Sequence, residues 1–202
     1  MPEKNENLHG NVPDRSPVVL LLVDVINDME FEGGDALLAQ ALPAAARIAE
    51  LKGAARAAGI PVIYANDNFG KWRSDFRDVV ERCLTTGVRG EPVAQLLVPE
   101  PDDYFILKPK HSAFHATALD TLLRYLHARR LIIAGFTADA CVMVTAAEAH
   151  MRDYRVFVPS DCVASRTAEY TRSALEHMER VLDVDVTRAG LLDLEGLRRD
   201  RP

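Results

Sequence analysis

Cysteine is scarce in this chain: Cys83, Cys141 and Cys162 stand far apart, with no CxxC pair among them. That argues against a disulfide framework and a zinc knuckle, and it fits a reducing compartment. Long apolar runs are missing too. None approaches the roughly 18 residues of a membrane span, and residues 1–16, MPEKNENLHGNVPDRS, lack the hydrophobic core of a signal peptide. A cytoplasmic location is therefore expected. Basic charge is in deficit, with Lys+Arg 24 against Asp+Glu 30 and a net charge of −6. No basic block or basic helix face stands out, so neither nucleic acid nor an anionic membrane is expected as a partner. No GxGxxG or GxxxxGK loop follows the first apolar run, which argues against a doubly wound nucleotide-binding protein. A small-molecule substrate or ligand remains.

The 202 residues, 48% of them hydrophobic, suffice for one domain with a substantial core. Residues 1–16, polar and carrying Pro2, Gly10 and Pro13, read as a flexible arm before a single domain over 17–202. Apolar runs at 17–25, 61–66, 103–108, 131–135 and 154–159 read as buried strands, with a short sixth at 183–187. Helical patterns lie between them. One runs from the Gly33-Gly34 turn to Gly59, with Pro43 in its first turn or at a break; others cover about 92–97, 117–128, 139–152 and 168–181. This alternation predicts an α/β fold of three layers, α/β/α, around a six-stranded, mainly parallel sheet.

The stretch GFTADACVMVTAAEAHMRDY follows the run LIIAG and places Cys141 in the first turn of a helix. Backbone N–H groups there are unpaired and lie at the positive end of the helix dipole. They favour thiolate, which predicts a lowered thiol pKa, and they can hold an oxyanion. Against this, cysteine usually packs as a small hydrophobe, and Cys83 and Cys162 read that way. Asp24 ends the first apolar run and Lys108 the third. Each alone reads equally as an ordinary loop aspartate or a solvated lysine. Together, all three residues fall at the carboxyl ends of parallel strands, where ligands bind. A carboxylate can take the thiol proton there, and an ammonium can stabilise the developing charge. In the loop after the second strand, DNFGKWRSDF, Phe69 and Trp72 could stack on a substrate or pack the loop down.

At LLLVDVINDMEF, ILKPKHSAF and AGFTADACVMVTAAEAHMRDYRVFVPSD the chain resembles the isochorismatase-like cysteine hydrolases, which include nicotinamidases and N-carbamoylsarcosine amidohydrolase; the resemblance spans about 17–165. It implies an Asp24–Lys108–Cys141 triad in which Cys141 attacks an amide or ureido carbonyl, an acyl-enzyme forms, an amine leaves and water completes the hydrolysis. It also implies a cis peptide between Phe136 and Thr137, oxyanion contacts from the N–H groups of Thr137 and Cys141, substrate contacts at Asn27, Phe69, Trp72 and Phe114, and a homo-oligomer, dimer or tetramer. Two departures stand out. Ile26, followed by Asn27, occupies the position where the family often carries glutamine. Nicotinamidases hold a metal through an aspartate and histidines after the second strand, but here Asp67 has no histidine near it, since none lies between His9 and His111. No metal and no cofactor are expected. True isochorismatases share the SAFH stretch but replace the cysteine, so retaining Cys141 favours C–N hydrolysis over enol-ether cleavage. A relative of the same fold that binds ligand without turnover is the other alternative.

Overall fold

The computed structural model describes residues 15–70 and 75–199. Strand β1 (Val18–Val23) lies at the centre of the sheet. It pairs in parallel with β2 (Val62–Asp67) on one side and β4 (Arg130–Phe136) on the other. β3 (Tyr104–Lys108) joins the outer side of β2, and β5 (Arg155–Phe157) the outer side of β4. The order β3-β2-β1-β4-β5 thus runs outward from the middle, and every ladder is parallel.

Alternation along β1 divides the core into two halves. Val18, Leu20 and Leu22 face one layer of helices, α1 (Gly34–Ala57), α2 (Phe76–Thr85) and α3 (Glu91–Leu96). Val19, Leu21 and Val23 face the other, α4 (Leu119–Leu126), α5 (Met143–His150) and α6 (Ala168–Leu182). A strand covered on both faces has no polar face to show, which is why β1 reads as an unbroken apolar run. In α5 the small residues Ala146 and Ala149 are fully buried and let the helix lie close to the sheet. Among the described residues no helix is long and apolar enough to cross a membrane.

Several expectations are corrected. The segment 183–187 is not a strand but touches β5 through one isolated bridge, Phe157 to Asp185. β5 stops just before Pro159, whose ring nitrogen has no N–H to extend a ladder. The sixth strand is instead β6 (Val163–Ala164), which pairs with Gly135 and Phe136 of β4 beyond the point where β5 ends. Two residues are too few to carry a periodic signal. Pro43 lies inside α1, not at its start. α2, within a stretch of mixed pattern, is fixed by a capping box in which Asp75 and Asp78 each accept from the other's backbone N–H. Of the expected flexible arm, residues 1–14 lie outside the described residues. Ser16 is docked, with its N–H donating to the Leu126 carbonyl at 2.8 Å.

Gly135 lets β4 turn into the site. Its φ is +125°, and a Cβ there would stand 2.0 Å from the Val23 carbonyl oxygen of the neighbouring strand. We expect Gly135→Ala to destabilise the fold by about 2 kcal/mol or more, since both the dihedral and the contact forbid a side chain. Urea denaturation checks this, and a midpoint equal to wild type would refute it.

Candidate active site

Four consecutive strands of the sheet, β3, β2, β1 and β4, deliver Lys108, Asp67, Asp24 and Cys141 to one carboxyl edge. Lys108 is the last residue of β3 and is fully buried. Its Nζ lies 2.7 Å from Asp24 Oδ2, 3.4 Å from Cys141 Sγ, 3.3 Å from the Lys110 carbonyl and 4.0 Å from Asp67 Oδ2. Asp24 follows β1 with φ +52°, a left-handed kink that ends the strand. Its other oxygen, Oδ1, accepts from the Asp67 N–H at 2.7 Å. Both oxygens of this carboxylate are therefore engaged, at 5% residue exposure.

Cys141 sits in a wide π-type turn, Ala138–Val142, that precedes α5. The expected helix over 139–152 is thus divided, and the Thr137 carbonyl accepts from both the Ala140 and Val142 N–H groups. Such widened turns recur at functional sites. Ser165, just past β6, anchors the turn: its Oγ accepts from the Asp139 N–H and donates to Asp139 Oδ1. The Phe136–Thr137 peptide is cis.

The thiol departs from the expectation of a lowered pKa. Burial, and next the negative charge of Asp24, push Cys141 up to about 12 against the pull of Lys108. Burial also raises Asp24 above the ordinary carboxylate value, although Lys108 draws it down. Burial works against the Lys108 ammonium, but the charges of Asp24, Cys141 and Asp67 together carry it above the ordinary lysine value. The resting arrangement is an ion pair beside a neutral thiol. Cys83 and Cys162 are more deeply buried still, and burial raises them to about 11 and about 12.

His111 is the residue that sequence reasoning missed. It is exposed, and its Nδ1 stands 3.4 Å from Cys141 Sγ. The loop carrying it is tied to α5, because the Ala113 N–H donates to Thr145 Oγ1 and Ser112 Oγ bonds to Glu148. The signal was present in KHSAF, three positions after Lys108. A lone histidine in a loop gives no reason to prefer it over His115, however, until the fold brings β3 and α5 together.

The expected substrate contacts separate. Asn27 Oδ1 accepts from the Met29 N–H at 2.7 Å and closes a local turn. Phe69 is exposed and lines a cavity of about 240 Å³ with Asp28, Asn68, Asp78, Val79, Arg82 and Cys83. Phe114 is packed in the core, with Tyr154 beside it and the Arg152 guanidinium 4.7 Å from its ring centre, so it presents no face to a ligand. Trp72 lies outside the described residues. A metal does not fit the donor set. Asp67 Oδ1 already accepts from the Phe69 N–H at 2.6 Å, its Oδ2 faces Lys108, and among the described residues no three His, Cys, Asp or Glu side chains are grouped to hold an ion.

Residues 18–188 match the model of the isochorismatase domain. The chain is similar to the isochorismatase family protein YaaI of Bacillus subtilis (strain 168), 41% identical over 83% of this chain and 92% of that one. It is also similar to the ureidoacrylate amidohydrolase RutB of Methylorubrum extorquens, 29% identical over 73% of this chain and 70% of the relative. Among solved structures, the N-carbamoylsarcosine amidase from Thermoplasma acidophilum superposes with a TM-score of 0.66 at 27% identity, covering 87% of this chain and 98% of that one. With the whole sheet, from Val18 to Ala164, inside the matched span, the chain belongs to the isochorismatase family of hydrolases.

Proposed function

We propose that the protein hydrolyses a C–N bond of a small amide or ureido compound through a Cys141 thioester. The observation that carries this reading is the Lys108 ammonium, held 2.7 Å from Asp24 and 3.4 Å from Cys141. Asp24 takes the thiol proton as Sγ attacks the carbonyl carbon, and Lys108 keeps the sulfur and the carboxyl group from carrying uncompensated charge. The N–H groups of Thr137 and Cys141 receive the oxyanion. Asp24 returns the proton to the departing nitrogen, an amine or ammonia leaves, and water then cleaves the thioester. The amidase and ureido-acid hydrolase among the similar proteins support the substrate class.

A neutral resting thiol suits this chemistry. A thiolate beside ionised Asp24 would add a second buried negative charge, which the single Lys108 could not offset. Proton transfer to Asp24 accompanies attack, so Asp24 and the sulfur never carry negative charge at the same time.

Cys141→Ala, which removes no charge, should abolish ammonia release from a panel of primary amides, ureido acids and nicotinamide while leaving the circular dichroism unchanged. Asp24→Asn and Lys108→Ala should each lower kcat by about 10³-fold or more, and the double variant should cost far less than the sum of their logarithms. Near-normal activity in Cys141→Ala alongside inactivity in Asp24→Asn would point to enol-ether cleavage without a covalent intermediate.

The pKa directions set two pH dependences. Asp24 must be ionised to accept a proton, so kcat/KM should be full above its raised pKa and be lost as pH falls, already at a pH higher than an ordinary carboxylate would require. Iodoacetamide should modify Cys141, at 9% exposure, before Cys83 or Cys162, at 1% and 0%. With the thiol near 12, the alkylation rate should keep climbing past pH 9, about tenfold per unit. A plateau at neutral pH would mean that thiolate is the resting form.

Chelation with EDTA should leave turnover intact, because Asp67 without imidazole partners is too poor a donor set for a tight transition-metal site. Loss of activity restored by added zinc or iron would contradict this.

A further inference from the structure

Hydrolysis through a thioester sets two proton-transfer tasks at one sulfur. The first is to move the thiol proton to the leaving nitrogen. Asp24 and Lys108 are placed for that on the inner side of Cys141, where their exposures are 5% and 0%. The second is to remove a proton from the water that attacks the thioester and to give one back to the sulfur. That water arrives from solvent, after the amine has gone. Asp24 is only 5% exposed and each of its oxygens already has a partner, the Asp67 N–H or Lys108, so a base on the solvent side meets that water first.

His111 occupies the other side. It is exposed, yet its Nδ1 reaches 3.4 Å from Sγ. Its position is built and not incidental. The next residue, Ser112, bonds to Glu148, which is itself held by Arg152 at 2.7 Å, and the Ala113 N–H is fixed by Thr145. Lys110, the preceding residue, gives its carbonyl to Lys108 Nζ. The backbone on either side of His111 is therefore fixed, which places its side chain beside the sulfur. An acyl carbon bonded to Sγ lies one bond from this contact, so water attacking that carbon comes within hydrogen-bond reach of the ring.

We propose that His111 is a catalytic base for deacylation, a role that rests on the reading of Cys141 as nucleophile. The imidazole takes a proton from water as the water oxygen bonds to the acyl carbon. The tetrahedral adduct then collapses, the C–S bond breaks with its electron pair going to sulfur, and the imidazolium returns the proton to Sγ. The products are a carboxylic acid and the Cys141 thiol, with no oxidant or further co-reactant. The two halves of the reaction thus use different bases, a buried carboxylate facing the protein and an exposed imidazole facing water.

The test uses p-nitrophenyl acetate as an acyl probe with the intact protein. In wild type and His111→Ala, the burst of p-nitrophenolate reports acylation, and intact-mass analysis with peptide mapping follows the acetyl group on Cys141. His111→Ala should keep a burst rate within about threefold of wild type while the acetyl-enzyme persists at least about a hundredfold longer, the lower end of what general-base removal costs. Free imidazole should shorten that lifetime in proportion to its concentration, a rescue that a merely structural role would not show. An unchanged acetyl-enzyme lifetime overturns the proposal. So does a burst slowed as much as turnover, or a prolonged lifetime that imidazole leaves untouched. Failure of wild type to acquire acetyl on Cys141 would sink the nucleophile reading itself, and with it this role for His111. That outcome is distinct from normal acetylation with His111 dispensable.

Discussion

A fully buried ammonium is the constraint on which the carboxyl edge of this sheet depends. Lys108 has no exposure, and an isolated charge at such a depth would cost several kcal/mol. It is tolerated because neighbouring strands bring partners to it. β2 and β1 lie between β3 and β4, so Lys108 and Cys141 start from strands three spacings apart, about 14 Å at the usual interval of about 4.8 Å. The long lysine arm crosses part of that gap, and the π-type turn after β4 swings Cys141 inward to meet it. Asp24 and Asp67, from the two strands between, line the path. The crevice thus follows from strand order, and any change that shifts one strand end leaves the ammonium short of a partner.

The same constraint explains why reasoning from the helix start alone misjudged the thiol. Unpaired N–H groups at a helix terminus do favour thiolate, but their effect is modest, at most about 2 kcal/mol. Burial and the Asp24 carboxylate oppose it at close range, and they win. The sequence placed Asp24 and Cys141 in one crevice but could not rank the two opposing fields, because rank depends on burial and distance. The consequence for chemistry is direct. On the proposed mechanism, nucleophilicity belongs to the Asp24–Lys108–Cys141 unit and arises as the proton moves, while the resting thiol stays neutral.

Much of the site was legible because parallel strands announce their ends. A charged residue closing an unbroken apolar run, as Asp24 and Lys108 do, has few places to be other than the carboxyl edge, and LIIAG before the cysteine turn marks a third such end. β6 was not legible, since its two residues pair only because β4 extends past β5. Phe114 was expected as a ligand contact from the family resemblance, yet the core between α4 and α5 claims it. His111 lay in the same loop and turned out the opposite way. The difference between those two neighbours is set by Thr145 and Glu148 on α5, thirty and more residues later in the chain, and loop sequence alone carries no trace of such a contact.

The loop after β1 shows how little of the crevice wall is free to adapt. Its backbone is pressed against two glycines, Gly34 and Gly90, where a Cβ would stand 2.0 Å from the Met29 carbonyl oxygen and 1.8 Å from that of Asn27. Arg89 donates to the Met29 carbonyl at 2.6 Å, the Gly90 N–H to that of Asp28, and Arg82 pairs with the Asp28 carboxylate. Asn27 spends its side-chain oxygen on the Met29 N–H. These bonds hold the loop in one conformation, and close backbone approach leaves no room for larger side chains at Gly34 and Gly90. This wall fixes the position of Asp24 and lends Asp28 to the lining of the cavity beside Phe69. The loop after β2 differs, since Asp67 is partly open and Phe69 is exposed beside a cavity. The open surface therefore lies mainly on the β2 side of the crevice, while the β1 side holds the Asp24 carboxylate in place.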